Sequence, residues 1–387
     1  MNRFKFVRFD FLLFMLEKLL NLPLEQKIGQ LFLIGLPDVA LNADTKEFLR
    51  EISPGGVCLF SRNIREAAQT RRMLDDIREI LPTEPILSLD QEGGLVDRLR
   101  RIINPMPAPS ALKTPEQAKT LAELTAKIVR MLGFNMNFAP VVDVIDESRR
   151  KSFNGLYSRS FGNSKAEVVE FAAEYLENLQ KNGCLGCLKH FPGLGASEVD
   201  SHEELPIVYL TREEIFDVDL LPYRRLIPNG EIHAVMVAHA SFPRFDLQET
   251  DENGKLLPTS LSYNIVTKLL RETLNFEGLI ITDDLEMGAI VKNYGIGEAC
   301  KRAITAGVDM LAICASPEAI VEGYKAVSEA VRNGEIPETR IDESLRKIAQ
   351  FKSLLKEPAP FDAARLQTLS DETVTLNGKS FSNTEDK

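Results

Sequence analysis

The sequence has no tryptophan, only four histidines and a deficit of positive charge. Its 46 lysines and arginines stand against 57 aspartates and glutamates, which gives a formal net charge of -11 at neutral pH. A negative surface repels polyanions, so this balance argues against nucleic acid as a partner. The one conspicuous apolar run is too short to cross a bilayer, and we expect no obligatory membrane contact.

The five cysteines are an odd number, and most of them lie in apolar runs: Cys58, Cys184, Cys187, Cys300 and Cys314. This pattern is typical of buried, reduced thiols in a cytoplasmic protein rather than of a disulfide framework. Cys184 and Cys187 also form a C-x-x-C motif, which suggests a zinc or redox site. On a strand, however, a spacing of three sends the two side chains to opposite faces, and no second cysteine pair is nearby. We therefore expect no metal and no cofactor.

Residues 1–23 differ from the rest of the chain. Phe11–Leu20 is apolar and aromatic and follows basic residues, as in a secretory signal. Asp10 and Glu17 flank or interrupt the apolar core, however, and no small-residue cleavage site follows it. We expect an N-terminal extension, either a helix packed on the domain or a segment upstream of a second start at Met15.

The remainder alternates short apolar runs with longer amphipathic segments. Short apolar runs of this kind are typical of strands buried on both faces. The predicted strands are Gln30–Ile34, Gly56–Phe60, Pro85–Leu89, Met136–Phe138, Leu185–Leu188, His233–Val237, Leu279–Thr282 and Asp309–Ile313. The predicted helices are Arg65–Ile80, Pro115–Leu132, Lys165–Lys181, Thr211–Leu226, Ser262–Leu274, Glu298–Ala306, Pro317–Arg332 and Asp342–Leu355.

Eight strands, each followed by a helix, predict an α/β fold of the (β/α)8 TIM-barrel type in a single domain. The alternative is a doubly wound open sheet, which would need a Gly-rich phosphate turn early in the chain. Gly93-Gly94 is the nearest match and lacks that spacing. We expect the barrel over residues 24–357, followed by a polar, loosely held tail over residues 358–387.

Polar residues stand where several of the predicted strands end. Asp90, Lys189-His190, His239 and Asp283-Asp284 each follow an apolar run. Because the carboxyl ends of barrel strands meet at one mouth, these side chains are expected to form one site.

Three of the four histidines, His190, His202 and His239, fall in these end-of-strand positions. His233 lies inside a predicted strand, and we assign it to structure. The connections 90–114 and 190–210 are also long, and long ordered loops in compact domains are usually functional.

Six motifs stand out along the chain: D-Q-E-G-G with a later Arg over Asp90–Arg98, R-S-F at Arg159–Phe161, K-H-F-P-G-x-G and D-S-H over Lys189–His202, M-V-A-H at Met236–His239, I-T-D-D-L-E-M at Ile281–Met287 and A-G-V-D at Ala306–Asp309. Their order is the order found in glycoside hydrolase family 3. The sequence resembles this family from about Ile28 to Leu355. It is most similar in pattern to the small single-domain β-N-acetylglucosaminidases of peptidoglycan recycling.

This resemblance implies a retaining exo-β-N-acetylhexosaminidase that acts on terminal N-acetylglucosamine of peptidoglycan (muropeptide) fragments. It also implies a monomeric, cytoplasmic enzyme whose partner is a small carbohydrate. Asp283 resembles the family nucleophile, although Asp284 is a rival that the residues alone do not exclude. His202 resembles the acid/base, with Asp200 as its partner. The residues that resemble the family's sugar ligands are Asp90, Arg98, Arg159, Lys189 and His190.

Two positions depart from the family pattern. Leu194 stands where the family often has His, and Leu95 stands where it often has Arg. Neither replaces an expected catalytic group, but both could change how the substrate loops pack or how tightly they bind.

Retaining glycoside hydrolysis needs a nucleophilic carboxylate and a proton donor for the leaving oxygen. Larger family members take a Glu from a second domain, and this sequence ends where that domain would begin. We therefore expect the barrel to supply its own acid. His202 suits this role because its pKa is near neutral and Asp200 can hold its other ring nitrogen. Gly193 and Gly195 would let the loop curl and close over the sugar.

Three other functions remain open at this level. A β-glucosidase or xylosidase of the same family would use the same barrel, and so would a β-glycoside phosphorylase. A histidine acid/base would favour the phosphorylase, because it does not repel an anionic phosphate acceptor. The non-enzymatic alternative is a sugar-binding barrel that has lost catalysis, although both the nucleophile and the donor are present here.

Overall fold

The computed structural model describes residues 12–149, 154–199, 201 and 203–381. Its centre is a ring of parallel strands: β1 Phe32–Gly35, β2 Gly56–Cys58, β3 Ile86–Leu89, β4 Met136–Asn137, β5 in two pieces Leu185–Gly186 and Leu188–Phe191, β6 Ala234–Val237, β7 Leu279–Asp284 and β8 Met310–Ile313. The first piece of β5 pairs with β4 and the second piece pairs with β6. The sheet thus begins and ends on β5, and the predicted (β/α)8 barrel is confirmed.

The apolar runs located the strands but ended several of them too early. Lys189 and His190 lie inside the second piece of β5, and Asp283 and Asp284 are the last two residues of β7. These strands continue past their apolar run because their polar side chains face an internal cavity rather than solvent. Every residue of β1, β2, β3, β6 and β8 is buried, as predicted for strands that are covered on both faces.

The helices surround the barrel. Their bounds are α1 residues 12–20, α2 Leu24–Gly29, α3 Ala43–Ile52, α4 Ala67–Ile80, α5 Pro115–Leu132, α6 Lys165–Lys181, α7 Arg212–Glu214, α8 Leu221–Leu226, α9 Gly288–Val291, α10 Ile296–Ala306, α11 Pro317–Arg332, α12 Glu338–Lys352 and α13 Ala363–Phe381, with π-helical segments at Ile215–Asp219 and Asn264–Thr273 and 3-10 turns at Pro109–Ala111, Ile227–Asn229 and Thr259–Leu261. The predicted bounds of α5, α6 and α11 are confirmed. At α5, Thr114 caps the amide of Gln117 and Pro115 occupies the first turn.

Part of the N-terminal extension is a helix that joins the core. Met15 and Leu19 of α1 are buried in the main hydrophobic cluster. Residues 1–11 lie outside the described residues. Within the described residues, no helix has the length and apolar character that spanning a membrane requires.

The expectation of a loosely held C-terminal tail is wrong for residues 363–381. Helix α13 packs against α5 and buries Leu366, Leu369 and Leu376. These leucines share one helical face, so the polar composition of the segment describes only its outer face. The helix also holds the loop before α5, because Ser370 Oγ accepts from the amide of Asn104 at 2.8 Å. Residues 382–387 lie outside the described part of the chain.

Leu369→Ala is expected to lower the free energy of unfolding by about 2–5 kcal/mol, because it leaves a cavity under α13. Val374→Ala is the matched control, since Val374 lies on the same helix with 54% exposure. Urea unfolding followed by circular dichroism measures both variants. Equal unfolding midpoints for the two variants would show that the helix is not part of the folded core.

Candidate active site

A cavity of about 160 Å³ opens at the carboxyl end of the barrel, where the ends of β2, β3, β5, β7 and β8 meet. Six of the eight expected site residues line this cavity: Asp90, Arg98, Arg159, Lys189, His190 and Asp283. Asp200 and His202 lie outside the described residues. Their neighbours Val199 and Ser201 line the cavity.

Four alternating charges form one wall of the cavity, in which Asp90, Lys189 and Arg159 line the cavity and Glu92 lies behind them. Lys189 Nζ lies 2.6 Å from Asp90 Oδ1 and 2.6 Å from Glu92 Oε1. Arg159 Nε and Nη2 donate to the two oxygens of Glu92 at 2.8 and 3.0 Å. A buried charge is tolerated when it is paired in this way. The charges of the wall are therefore paired with one another without a ligand.

The pKa values of this wall are shifted toward the charged forms. Burial alone would raise the pKa of the Glu92 carboxyl, but Arg159 and Lys189 outweigh burial and lower this pKa to about 2. The pKa of Asp90 is also below its ordinary value, because Lys189 and Arg98 counteract burial. The same pairs raise the pKa of Lys189. All of these groups therefore remain charged at neutral pH.

Arg98 lies beside this wall and is less firmly bonded than the four charges. Arg98 Nη2 lies 3.5 Å from Asp90 Oδ2, which is a loose contact. The Nε of Arg98 is buried and has no hydrogen-bond partner among the described residues. Arg98 and Asp90 both line the cavity, and a loosely held guanidinium beside a carboxylate oxygen is suited to bind a hydroxyl group, which both donates and accepts.

The two adjacent aspartates on β7 differ in their ionisation. Burial would raise the pKa of Asp283, but His190, His239 and the amide of Asp284 outweigh burial and lower this pKa. Burial raises the pKa of Asp284 to about 7, and the charges of Glu286 and Asp283 add to the increase. At neutral pH Asp283 is therefore a carboxylate, while Asp284 is partly protonated.

Asp143 is a site residue that the motif comparison missed. Its Oδ2 lies 2.7 Å from His190 Nδ1, and its Oδ1 accepts from the amide of Leu194 at 2.6 Å. A carboxylate can only accept, so Nδ1 of His190 carries the proton of this bond. A single acidic residue in the apolar segment 138–145 was the available signal. Glu92 was likewise present in a quoted motif without an assigned role.

His239 is hydrogen-bonded to the end of β7. Its Nε2 lies 3.1 Å from the carbonyl oxygen of Asp284, and its Nδ1 lies 2.7 Å from Ser260 Oγ. Burial lowers the pKa of His239. Since a carbonyl oxygen only accepts, Nε2 donates to Asp284 and neutral Nδ1 accepts from the Ser260 hydroxyl. His239 thus fixes the backbone at the end of β7.

The loop after β5 depends on its glycines. Gly193 has φ 134°, and a Cβ there would come within 2.6 Å of the Cβ of Asp219. A Cβ on Gly195 would lie 2.1 Å from the carbonyl oxygen of Val144. Gly193 therefore supplies the unusual backbone conformation that the sequence predicted, while Gly195 permits a close approach between two loops.

The two departures from the family pattern occupy different places. Leu194 is buried and is one of the residues that line the cavity. Leu95 is 72% exposed, in the turn that joins the short strands Gln91–Gly93 and Val96–Asp97. It is not among the residues that line the cavity.

The sequence profile of the glycosyl hydrolase family 3 N terminal domain matches residues 23–351. A β-hexosaminidase of Actinobacillus pleuropneumoniae serotype 3 (strain JL03) is 31% identical over 300 residues, which are 76% of this chain and 83% of that protein. A β-hexosaminidase of Pseudomonas aeruginosa (strain LESB58) is 36% identical over 281 residues, which are 71% of this chain and 79% of that protein.

Solved structures agree with the sequence comparison. The family 3 β-N-acetylglucosaminidase from Paenibacillus sp. str. FPU-7 superposes with a TM-score of 0.81 and 31% identity, covering 92% of this chain and 69% of that chain. A family 3 glycosyl hydrolase of Mycobacterium smegmatis gives a TM-score of 0.76 with 31% identity, covering 89% of this chain and 99% of that chain. The chain belongs to glycosyl hydrolase family 3. It is a glycoside hydrolase.

Asp143→Asn is expected to lower kcat/KM for a chromogenic aryl glycoside by about a hundredfold, because a displaced His190 ring no longer lines the cavity correctly. Asp246→Asn is the control, since Asp246 forms only an exposed ion pair with Arg212. Steady-state rates with circular dichroism as a folding check measure this effect. Unchanged kinetics in Asp143→Asn would remove the assigned role of Asp143.

Proposed function

We propose that the protein is a retaining exo-β-N-acetylhexosaminidase that releases terminal, non-reducing β-N-acetylglucosamine. The observation that carries this proposal is that Asp283, a carboxyl with a lowered pKa, lines the same cavity as the paired charges of the wall. The similarity to β-hexosaminidases at 31–36% identity supports N-acetylglucosamine as the sugar.

Asp283 is the nucleophile in this proposal. Its lowered pKa keeps it as a carboxylate, and the amide of Asp284 holds its Oδ1 at 2.9 Å. A carboxylate that is charged and held in place can attack the anomeric carbon without first losing a proton. Asp284 is less suited, because its Oδ1 is occupied by the amides of Glu286 and Cys314 and its pKa is raised to about 7.

The charged wall is proposed to hold the terminal sugar. Arg98 and the free side of Asp90 would bind hydroxyl groups, while Lys189 and Arg159 hold the wall in place. His190 would contribute through Nε2, since its Nδ1 is committed to Asp143. A cavity of about 160 Å³ favours a single sugar ring, which fits removal of one terminal residue at a time.

His202 is the proposed proton donor, with Asp200 as the group that orients it. In the assigned tautomer the proton of His190 lies on Nδ1, and its Nε2 is 3.4 Å from Arg159 Nη2, which can only donate. Both ring nitrogens of His239 are hydrogen-bonded, and the carbonyl of His233 accepts from Leu279 at the amino end of β7, away from the cavity. His202 is the remaining histidine of the chain, and its neighbour Ser201 lines the cavity. An Asp-supported imidazole can give a proton to the leaving oxygen and later take one from water.

The reaction would then proceed in two steps. Asp283 attacks the anomeric carbon as the bond to the leaving oxygen breaks, and His202 protonates that oxygen. Water then attacks the glycosyl-enzyme ester while His202 accepts its proton, which restores Asp283. Two inversions at the same carbon give net retention of the β configuration.

We further propose that the natural substrates are peptidoglycan (muropeptide) fragments and that the enzyme acts as a cytoplasmic monomer. The sequence resemblance to peptidoglycan-recycling enzymes supports the substrate. The five cysteines are buried and form no disulfide, which fits a reducing compartment.

The purified protein is expected to cleave p-nitrophenyl N-acetyl-β-glucosaminide at least about tenfold more efficiently than the matching glucoside, because a site shaped for one substituent rejects its analogue on this scale. Proton NMR should show β-N-acetylglucosamine as the first product. A glucoside preference would reassign the substrate. A sugar phosphate formed only in phosphate buffer would indicate a phosphorylase, and binding without turnover would indicate a non-catalytic barrel.

Asp283→Ala and His202→Ala are each expected to lower kcat by at least about a hundredfold, because each removes a group that acts in the transition state. Asp284→Ala is the matched comparison for Asp283→Ala and should retain more activity. Wild-type rates in Asp283→Ala, or a larger loss in Asp284→Ala, would move the nucleophile to Asp284. Wild-type rates in His202→Ala would require another proton donor.

A further inference from the structure

Two cysteine thiols meet in the wall of the sugar cavity and have no part in the proposed mechanism. Cys58 ends β2 and Cys314 follows β8, and both residues line the cavity. The Cys58 thiol interacts with the Cys314 thiol and raises the pKa of Cys314. The other three cysteines are buried and are not among the residues that line the cavity.

The pair is created by a glycine on the strand between the two cysteines. Gly35 on β1 is in register with Cys58 on β2. A Cβ on Gly35 would lie 1.9 Å from the carbonyl oxygen of Cys314 and 2.8 Å from its Cα. The chain after β8 therefore lies directly on Gly35, where no side chain separates it from Cys58. Arg62 donates to the carbonyl oxygen of Cys314 and fixes this segment.

Cys314 is also connected to the nucleophile by two hydrogen bonds. Its amide donates to Asp284 Oδ1 at 3.3 Å. The amide of Asp284 in turn donates to Asp283 Oδ1 at 2.9 Å. A displacement of Cys314 would therefore alter the support of Asp284 and, through it, the position of Asp283.

We propose that Cys58 and Cys314 form a covalent modification site, at which a peroxide that enters the sugar cavity converts the two thiols into a disulfide and inactivates the enzyme. Only the expected loss of activity rests on the proposed function. The crosslink itself is a separate chemical event that can be detected without any substrate.

The oxidation balances with hydrogen peroxide as the oxidant. One thiolate attacks a peroxide oxygen, the O–O bond breaks, a sulfenic acid forms, and the departing hydroxide takes the proton that this thiol released to give one water. The second thiolate attacks the sulfenyl sulfur, the S–O bond breaks, the S–S bond forms, and the departing hydroxide takes the proton of the second thiol to give a second water. The two sulfurs together give two electrons to the peroxide, and a thiol reductant reverses the bond.

The surroundings of the pair make this oxidation slow at neutral pH. The hydrogen bond with Cys58, burial, and the nearby carboxylates of Asp284 and Asp90 all raise the pKa of Cys314 well above its usual value. Since the thiolate is the reactive form, the rate of crosslinking is expected to rise as the pH increases above neutral. The proximity of the second thiol favours the disulfide over further oxidation of a single sulfur.

The test treats the reduced, purified protein with hydrogen peroxide at mildly alkaline pH and follows intact mass, peptide map and glycosidase activity. The expected product has lost two hydrogen atoms and contains a Cys58–Cys314 crosslinked peptide. Its activity should fall at least about tenfold, because the nucleophile is displaced from its working position. Dithiothreitol should restore both mass and activity.

Three serine variants serve as controls, each compared with its own untreated rate. Cys58→Ser and Cys314→Ser should keep their activity under peroxide, while Cys300→Ser should remain as sensitive as the wild type. Addition of oxygen without a crosslink, a fully active crosslinked enzyme, or wild-type sensitivity in Cys58→Ser would each overturn the proposal. A crosslink that forms in a protein with no glycosidase activity would instead confirm the modification site and contradict the proposed function.

Discussion

The active site depends on the burial of one charge, the ammonium group of Lys189, inside the barrel. The side chain of Lys189 is 2% exposed and is neutralised by Asp90 at the end of β3 and by Glu92 just beyond it. Removing one partner of such a buried pair costs about 3–5 kcal/mol. Because leaving this charge unpaired is costly, the ion pairs of Lys189 hold β5 against the loop after β3. Arg159 is connected to them through its ion pair with Glu92. The shape of this side of the cavity follows from the pairing.

The two neighbouring carboxyl groups at the end of β7 have different pKa values because their surroundings differ. Asp283 and Asp284 are adjacent on β7, yet the pKa of the first is lowered and that of the second is raised to about 7. Asp283 faces His190 and His239, whereas Asp284 faces Glu286 and Asp283. The surroundings therefore give two adjacent carboxyl groups opposite pKa shifts, which residue type alone does not do.

Sequence reasoning predicted the barrel because apolar runs and helical periodicity are local properties. It placed the bounds of α5 and α6 correctly, and it predicted that the polar strand ends would meet. It missed Asp143 because the partner of that carboxylate, His190, lies 47 residues away and only the fold brings them together. It misjudged α13 because the composition of a segment does not reveal that its leucines share one face. The Cys58–Cys314 contact depends on Gly35, a third strand, and no spacing along the chain predicts it.

The proposed mechanism requires that Asp283 forms a covalent bond with the sugar. A 5-fluoro N-acetylglucosaminyl fluoride tests this directly, since the fluorine slows hydrolysis of the glycosyl-enzyme and the good leaving group allows it to form. Peptide mapping of the trapped protein should find one sugar attached to Asp283. A sugar attached to Asp284, or continued hydrolysis with no covalent adduct, would contradict the account.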